Sequence, residues 1–150
     1  MRNLKIRERF DAVLIIGRSF TYMTTNQDVM DALRSINQLL KKDGMLIFDN
    51  FNAEVIFGGF KRSFIQTARF KNREYKRVST NSFNLKTGWT WNWDAKYYIK
   101  EREKVRIIHD KSILRGFTED ELKLFLRISR YDTKEVIKAA SSITIVASKE

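Results

Sequence analysis

Three groups of residues in this chain could do chemistry. The apolar run Ala12 to Ile16 closes on Gly17, Arg18 and Ser19, with Tyr22 a few residues on. A guanidinium beside a glycine turn can hold a carboxylate or another anion, and an arginine in a turn can equally be plain solvated surface. A second apolar run, MLIF, delivers Asp49, Asn50 and Asn52. A carboxylate at a strand end can orient a hydroxyl or an amine, or it can cap the turn that follows. Trp89, Trp91 and Trp93 alternate and so fall on one face of a strand. Such a row either covers a hydrophobic face or forms a substrate or partner surface. His109 stands alone in VRIIHDKS, and the chain has no cysteine, which excludes disulfides, thiolate metal sites and cysteine nucleophiles.

The elements that must position these groups follow from periodicity. AVLII, entered from charged KIRERFD and closed by Gly17, reads as a strand buried on both faces. Thr25 with Asp28 forms a capping box, and Val29, Leu33, Ile36 and Leu40 follow at helical spacing. Lys41 and Lys42 complement the negative helix end, Gly44 is placed to take the left-handed turn, and MLIFD resumes a strand. The unit is strand, helix, strand, with a connection long enough for a right-handed crossover between parallel neighbours. From Phe60 to Ile108 the texture changes to aromatic and β-branched alternation, which predicts three or four antiparallel strands with a turn at Lys86-Thr87-Gly88. Thr118 with Glu121 makes a second capping box for a helix ending near Ser129. Tyr131 to Ala139 and Ile143 to Ala147 then read as a closing hairpin across Ala140 to Ser142.

With 150 residues, 43% hydrophobic and 13% aromatic, the chain can bury one ordinary core. The expected division is one domain, 1–150, with 1–59 and 109–150 forming an α/β core and 60–108 an inserted antiparallel sheet. The formal charge of +11 suits an anionic partner, but the basic residues are dispersed along the chain, as solvated faces are. No apolar run approaches the roughly 20 residues of a membrane span, and MRNLKIRERF has no signal-peptide core, so a cytoplasmic location is the expectation.

FDAVLIIGRSFTYM, ALRSINQLLKKDGMLIFDN, RGFTEDELKLFL and SSITIVASKE, in this order, resemble the class I S-adenosylmethionine-dependent methyltransferases, from just after their second cofactor-contacting acidic residue to the C-terminus. They match, respectively, the family's fourth strand and turn; its helix and fifth strand, with Lys42-Asp43-Gly44 in place of Pro-Gly-Gly; its next helix; and its terminal antiparallel strand. The resemblance implies an α/β fold, a partial Rossmann-like sheet of the family's strands four to seven, with the stretch after the fifth strand forming a lid over a small-molecule substrate. It implies S-adenosylmethionine as cofactor, with Ile16, Gly17, Arg18 and Ser19 at its rim. Tyr22, Asn50 and the three tryptophans would face substrate, and Asp49 and Asn52 are the catalytic candidates. The family's glycine-rich first motif, E/D-x-G-x-G-x-G, is absent, and Met1 falls about where the family's "GDM" turn stands. The chain by itself is therefore expected to be inactive, as a truncated methyltransferase or one completed by another polypeptide. A second expectation stands beside this one: a non-catalytic module holding RNA or a protein on its basic, tryptophan-rich sheet. Without the family's first strands, residues 12–16 become a sheet edge. That predicts a homo-oligomer, or pairing with a missing N-terminal half, through that strand.

Overall fold

The computed structural model describes all residues from Met1 to Glu150. Strand β1 (Phe10–Ile15) runs into a single 3-10 turn (Ser19–Tyr22), helix α1 (Asn26–Leu39) and strand β2 (Leu40–Phe51). A short helix α2 (Ala53–Gly58) leads to strands β3 (Ser63–Phe70), β4 (Arg73–Phe83), β5 (Thr90–Glu101) and β6 (Lys104–Arg115). Helix α3 (Glu119–Ile128) and strands β7 (Tyr131–Ala139) and β8 (Ser142–Lys149) complete the chain. Two four-stranded sheets result, ordered β1-β2-β8-β7 and β3-β4-β5-β6. In the first, β1 and β2 are parallel, and β8 inserts antiparallel between β2 and β7. The second is an antiparallel meander, and its last strand reaches Arg115.

Both capping boxes form. Thr25 Oγ1 accepts the Asp28 N–H at 3.0 Å while the Asp28 carboxylate accepts the Thr25 N–H, and Thr118 with Glu121 repeats the arrangement at α3. Each satisfies donors that a helix start otherwise leaves unpaired. α1 lays Val29, Ala32, Leu33 and Ile36, and α3 lays Leu122, Phe125 and Leu126, on the same face of the first sheet. That face offers Ile15, Leu46, Phe48, Ile143, Ile145 and Ala147, every second residue of their strands.

The opposite face carries no helix, which corrects the expectation that AVLII is buried on both sides. Only Ile15 is buried, whereas Leu14 is 61% and Ile16 59% exposed. The cause is topological, because β1 is the outermost strand and only one of its faces meets helices. A second correction concerns the turn after α1. Asp43, with φ of 59°, takes the left-handed conformation, and Gly44 does not. Gly44 is needed instead for close approach, since a Cβ there would lie 3.0 Å from the Lys41 carbonyl oxygen.

The segment Arg115-Gly116-Phe117 locks the sheets together. Phe117 N–H donates to the Phe51 carbonyl and Ala53 N–H to the Phe117 carbonyl, both at 3.0 Å, and Gly116 N–H donates to the Trp89 carbonyl at 3.0 Å. The Thr21 hydroxyl donates to the Arg115 carbonyl at 2.7 Å. No helix is long and apolar enough to cross a membrane.

Candidate functional site

Gly17 and Arg18 both adopt left-handed conformations, with φ of 78° and 62°, so β1 ends in a sharp turn. Glycine enters this region freely, and a Cβ at Gly17 would meet nothing within 4 Å. The turn is held from β2, where Asp49 Oδ1 accepts the Arg18 N–H at 2.9 Å, and Ser19 Oγ donates to the Ile16 carbonyl at 3.1 Å. The Arg18 guanidinium lies over the Phe51 ring at 4.4 Å.

This turn forms one wall of a cavity of about 840 Å³. Phe51, Ile56 and Phe60 supply a second wall, and the inner face of the β3–β6 sheet supplies the third. Cross-strand register decides which side chains that face presents: Arg77 pairs with Tyr97, Asn81 with Trp93, and Phe83 with Trp91. Aromatic packing attaches α2 to the sheet. Phe57 sits 5.2 Å from Trp89 and 5.7 Å from Phe83, and Phe60 stacks on Phe83 at 4.1 Å. Trp91 is 4% exposed and packs edge-on against Phe51 at 5.4 Å.

The residues singled out in the sequence divide as follows. Gly17, Arg18, Tyr22, Trp91 and Trp93 line the cavity together. Trp89 shares their face but is engaged with Phe57, and Ile16 and Ser19 flank the turn outside the lining. Asp49 reaches the turn through its bond to Arg18. Asn50 does not reach the cavity. It points to the helix-covered face and is fully buried, with Nδ2 lacking an acceptor. Asn52 is equally removed, because its side chain caps α2 by accepting the Glu54 N–H at 3.1 Å. His109 lies on the outer face of the second sheet, 2.5 Å from Asp94. A hydrogen bond from His109, reinforced by Lys111, holds the Asp94 carboxyl below its ordinary range.

Lys61, Arg77, Tyr97 and Asp110 also line the cavity, and sequence reasoning missed them. Tyr97 continues the period-two row begun by the tryptophans and could have been found that way. Arg77 and Asp110 depend on the register of β4 and β6, for which the local sequence carries no signal.

No family model matches the chain. Over 57 residues it is 44% identical to a glycine/sarcosine N-methyltransferase of Aphanothece halophytica, a match covering 37% of this chain and 22% of that protein. Among solved structures, an S-adenosylmethionine-dependent methyltransferase from Clostridium acetobutylicum superposes with a TM-score of 0.83 at 15% identity, covering 99% of this chain and 61% of that one. DesVI of Streptomyces venezuelae gives 0.84 at 16%, covering 99% and 62%. The sugar N-methyltransferase KedS8 of Streptoalloteichus gives 0.79 at 18%, covering 99% and 60%. The chain thus spans about three-fifths of the length of these structures and a smaller share of the curated relative. Over its two sheets and the crossover between β1 and β2, the chain has the fold of the S-adenosylmethionine-dependent methyltransferases, with the antiparallel β3–β6 sheet inserted after β2.

Proposed function

We propose that this chain forms the substrate-facing part of an S-adenosylmethionine-dependent methyltransferase acting on a small molecule. The observation that carries this reading is the position of the cavity. It opens at the carboxyl ends of parallel β1 and β2, where open α/β sheets take their ligands, and the inserted sheet covers it. The N-methyltransferases similar to it in sequence or fold support the same class of chemistry.

S-adenosylmethionine, when bound, supplies a methyl group activated on a sulfonium. The protein's task is then to align the acceptor and exclude water. The turn fits the rim of such a cofactor, because Gly17 leaves the backbone open to approach and Arg18 directs a cation toward the cavity. Ile16, Gly17, Arg18 and Ser19 would hold that rim, and Asp49 keeps the turn in shape. Phe51 and Trp91 seal the wall against water. The chain has no glycine-rich motif, so by itself it is proposed to be inactive. Trp91 and Trp93 line a cavity walled on another side by Phe51 and Phe60 rather than an open sheet face, which favours this reading over RNA binding.

Isothermal titration of the purified chain with S-adenosylmethionine and S-adenosylhomocysteine tests the proposal. Micromolar binding, about −8 kcal/mol, would mean that an assembly of the chain has rebuilt the cofactor site and would support the proposal. No heat with either compound at millimolar concentration would remove cofactor chemistry from this chain.

A further inference from the structure

We infer that the cavity selects an anionic small molecule with a flat apolar body, carrying a carboxylate or a phosphate. The inference rests on reading this cavity as a substrate site and deepens it. Three cations line the cavity, Arg18, Lys61 and Arg77, against the single carboxylate of Asp110; with Arg18 at the cofactor rim, Lys61 and Arg77 are the two that face a substrate. None of the three joins an ion pair. Lysine and arginine outnumber aspartate and glutamate 29 to 18, so unpaired cations are common along this chain; what sets these three apart is that they converge on one cavity.

Each cation is also set against an aromatic ring. Arg18 lies 4.4 Å from the Phe51 centroid, Lys61 5.9 Å from Phe64, and Arg77 5.9 Å from Trp93. Cation–π contacts steer a side chain without consuming its hydrogen-bond donors. Arg77 donates one N–H to Gln66, and a guanidinium carries five in a fork that matches an oxyanion. Trp93 and Tyr97 stand beside Arg77 on the wall of this cavity, whose volume of about 840 Å³ a substrate would share with the cofactor. Flat aromatic walls favour a flat body, and the net positive lining attracts its anionic group.

Phenyl phosphate, benzoate and the neutral isostere benzamide provide the test, followed by quenching of tryptophan fluorescence in the full chain. Saturable quenching by either anion, with benzamide at least tenfold weaker, is the expected result. Quenching by phenyl phosphate alone would assign a phosphate ester, and quenching by benzoate alone a carboxylic acid. Arg77→Gln and Lys61→Gln should each weaken anion binding about tenfold, as loss of a charge-assisted hydrogen bond does, and leave benzamide unchanged. Asp110→Asn should leave anion binding as tight or tighter. Arg69→Gln, whose side chain pairs with Glu74 outside this cavity, should change nothing. If Arg77→Gln does not fold, the exposed Lys61 carries the same test. Equal affinity for benzamide and the anions, or anion binding indifferent to both Arg77→Gln and Lys61→Gln, would overturn the inference. The cofactor titration separates the two readings. Anion selectivity without cofactor binding keeps the inference and removes the enzyme reading from this chain, and cofactor binding without anion selectivity does the reverse.

Discussion

Glu119 ties two elements together with one carboxylate. Its oxygens meet Lys123, one turn along α3, at 2.5 Å and Lys138 of β7 at 2.8 Å. The hydrogen bond from Lys123, then that from Lys138, depress its pKa from 4.5 to about 2. A depressed folded-state pKa means the contribution is fully present above the unfolded value and is lost as pH falls through the folded one. Thermal melts should therefore show a midpoint falling between about pH 4.5 and pH 2. Glu119→Gln should flatten that part of the acid slope while matching the native chain near pH 2. An unchanged slope would mean that solvent screens the pairs completely. Tyr131 shows the opposite balance, since burial pushes its phenol well above the ordinary range while the hydroxyl donates to the Leu33 carbonyl at 3.0 Å.

The joint between the sheets depends on Arg115, which is 1% exposed. Its guanidinium bonds Asn26 at the start of α1 at 2.9 Å and Glu121 of α3 at 3.3 Å, and it lies 4.5 Å from the Phe117 ring. Nε has no acceptor, and a Cβ at Gly88 would come within 2.9 Å of the guanidinium. Burial lowers the Arg115 pKa, and Glu121 opposes that shift. Arg115→Ala should cost about 3 kcal/mol, the low end for breaking a buried pair, because Glu121 keeps some contact with water. Urea denaturation would measure this as a lower midpoint at constant slope. A loss below about 1 kcal/mol would show that the joint is held by the backbone bonds through Phe117 and Gly116 alone.

Across the molecule, one face of the first sheet is covered and the other is not. Leu14, Ile47 and Val146 stand in register across β1, β2 and β8 on the uncovered side, beside the unpaired outer edge of β1. An apolar strand edge is a template for another chain. The purified chain is expected to associate as a dimer through β1. Light scattering would show the doubled mass, and hydrogen exchange would show amides of Ala12 to Ile16 protected in proportion to concentration. Leu14→Lys should return the chain to a monomer without unfolding it, because Leu14 packs on no helix. A monomer with fast-exchanging β1 amides at all concentrations would sink this expectation.

The local sequence determined much of this protein. Both capping boxes, the apolar stripes of α1 and α3, the alternation of the second sheet and the final hairpin are short-range patterns, set by residues within a turn or a strand of one another. The order of motifs also carried the methyltransferase-like fold. Tertiary structure alone decided which side chains meet at the cavity. Asp49 and Asn50 are neighbours in sequence, yet one braces the β1 turn and the other is buried under the helices, because adjacent strand residues face opposite ways. Arg77 and Arg18, 59 positions apart, share a cavity because of strand register and the joint at Arg115. Those are long-range contacts, and no local pattern of residues encodes them.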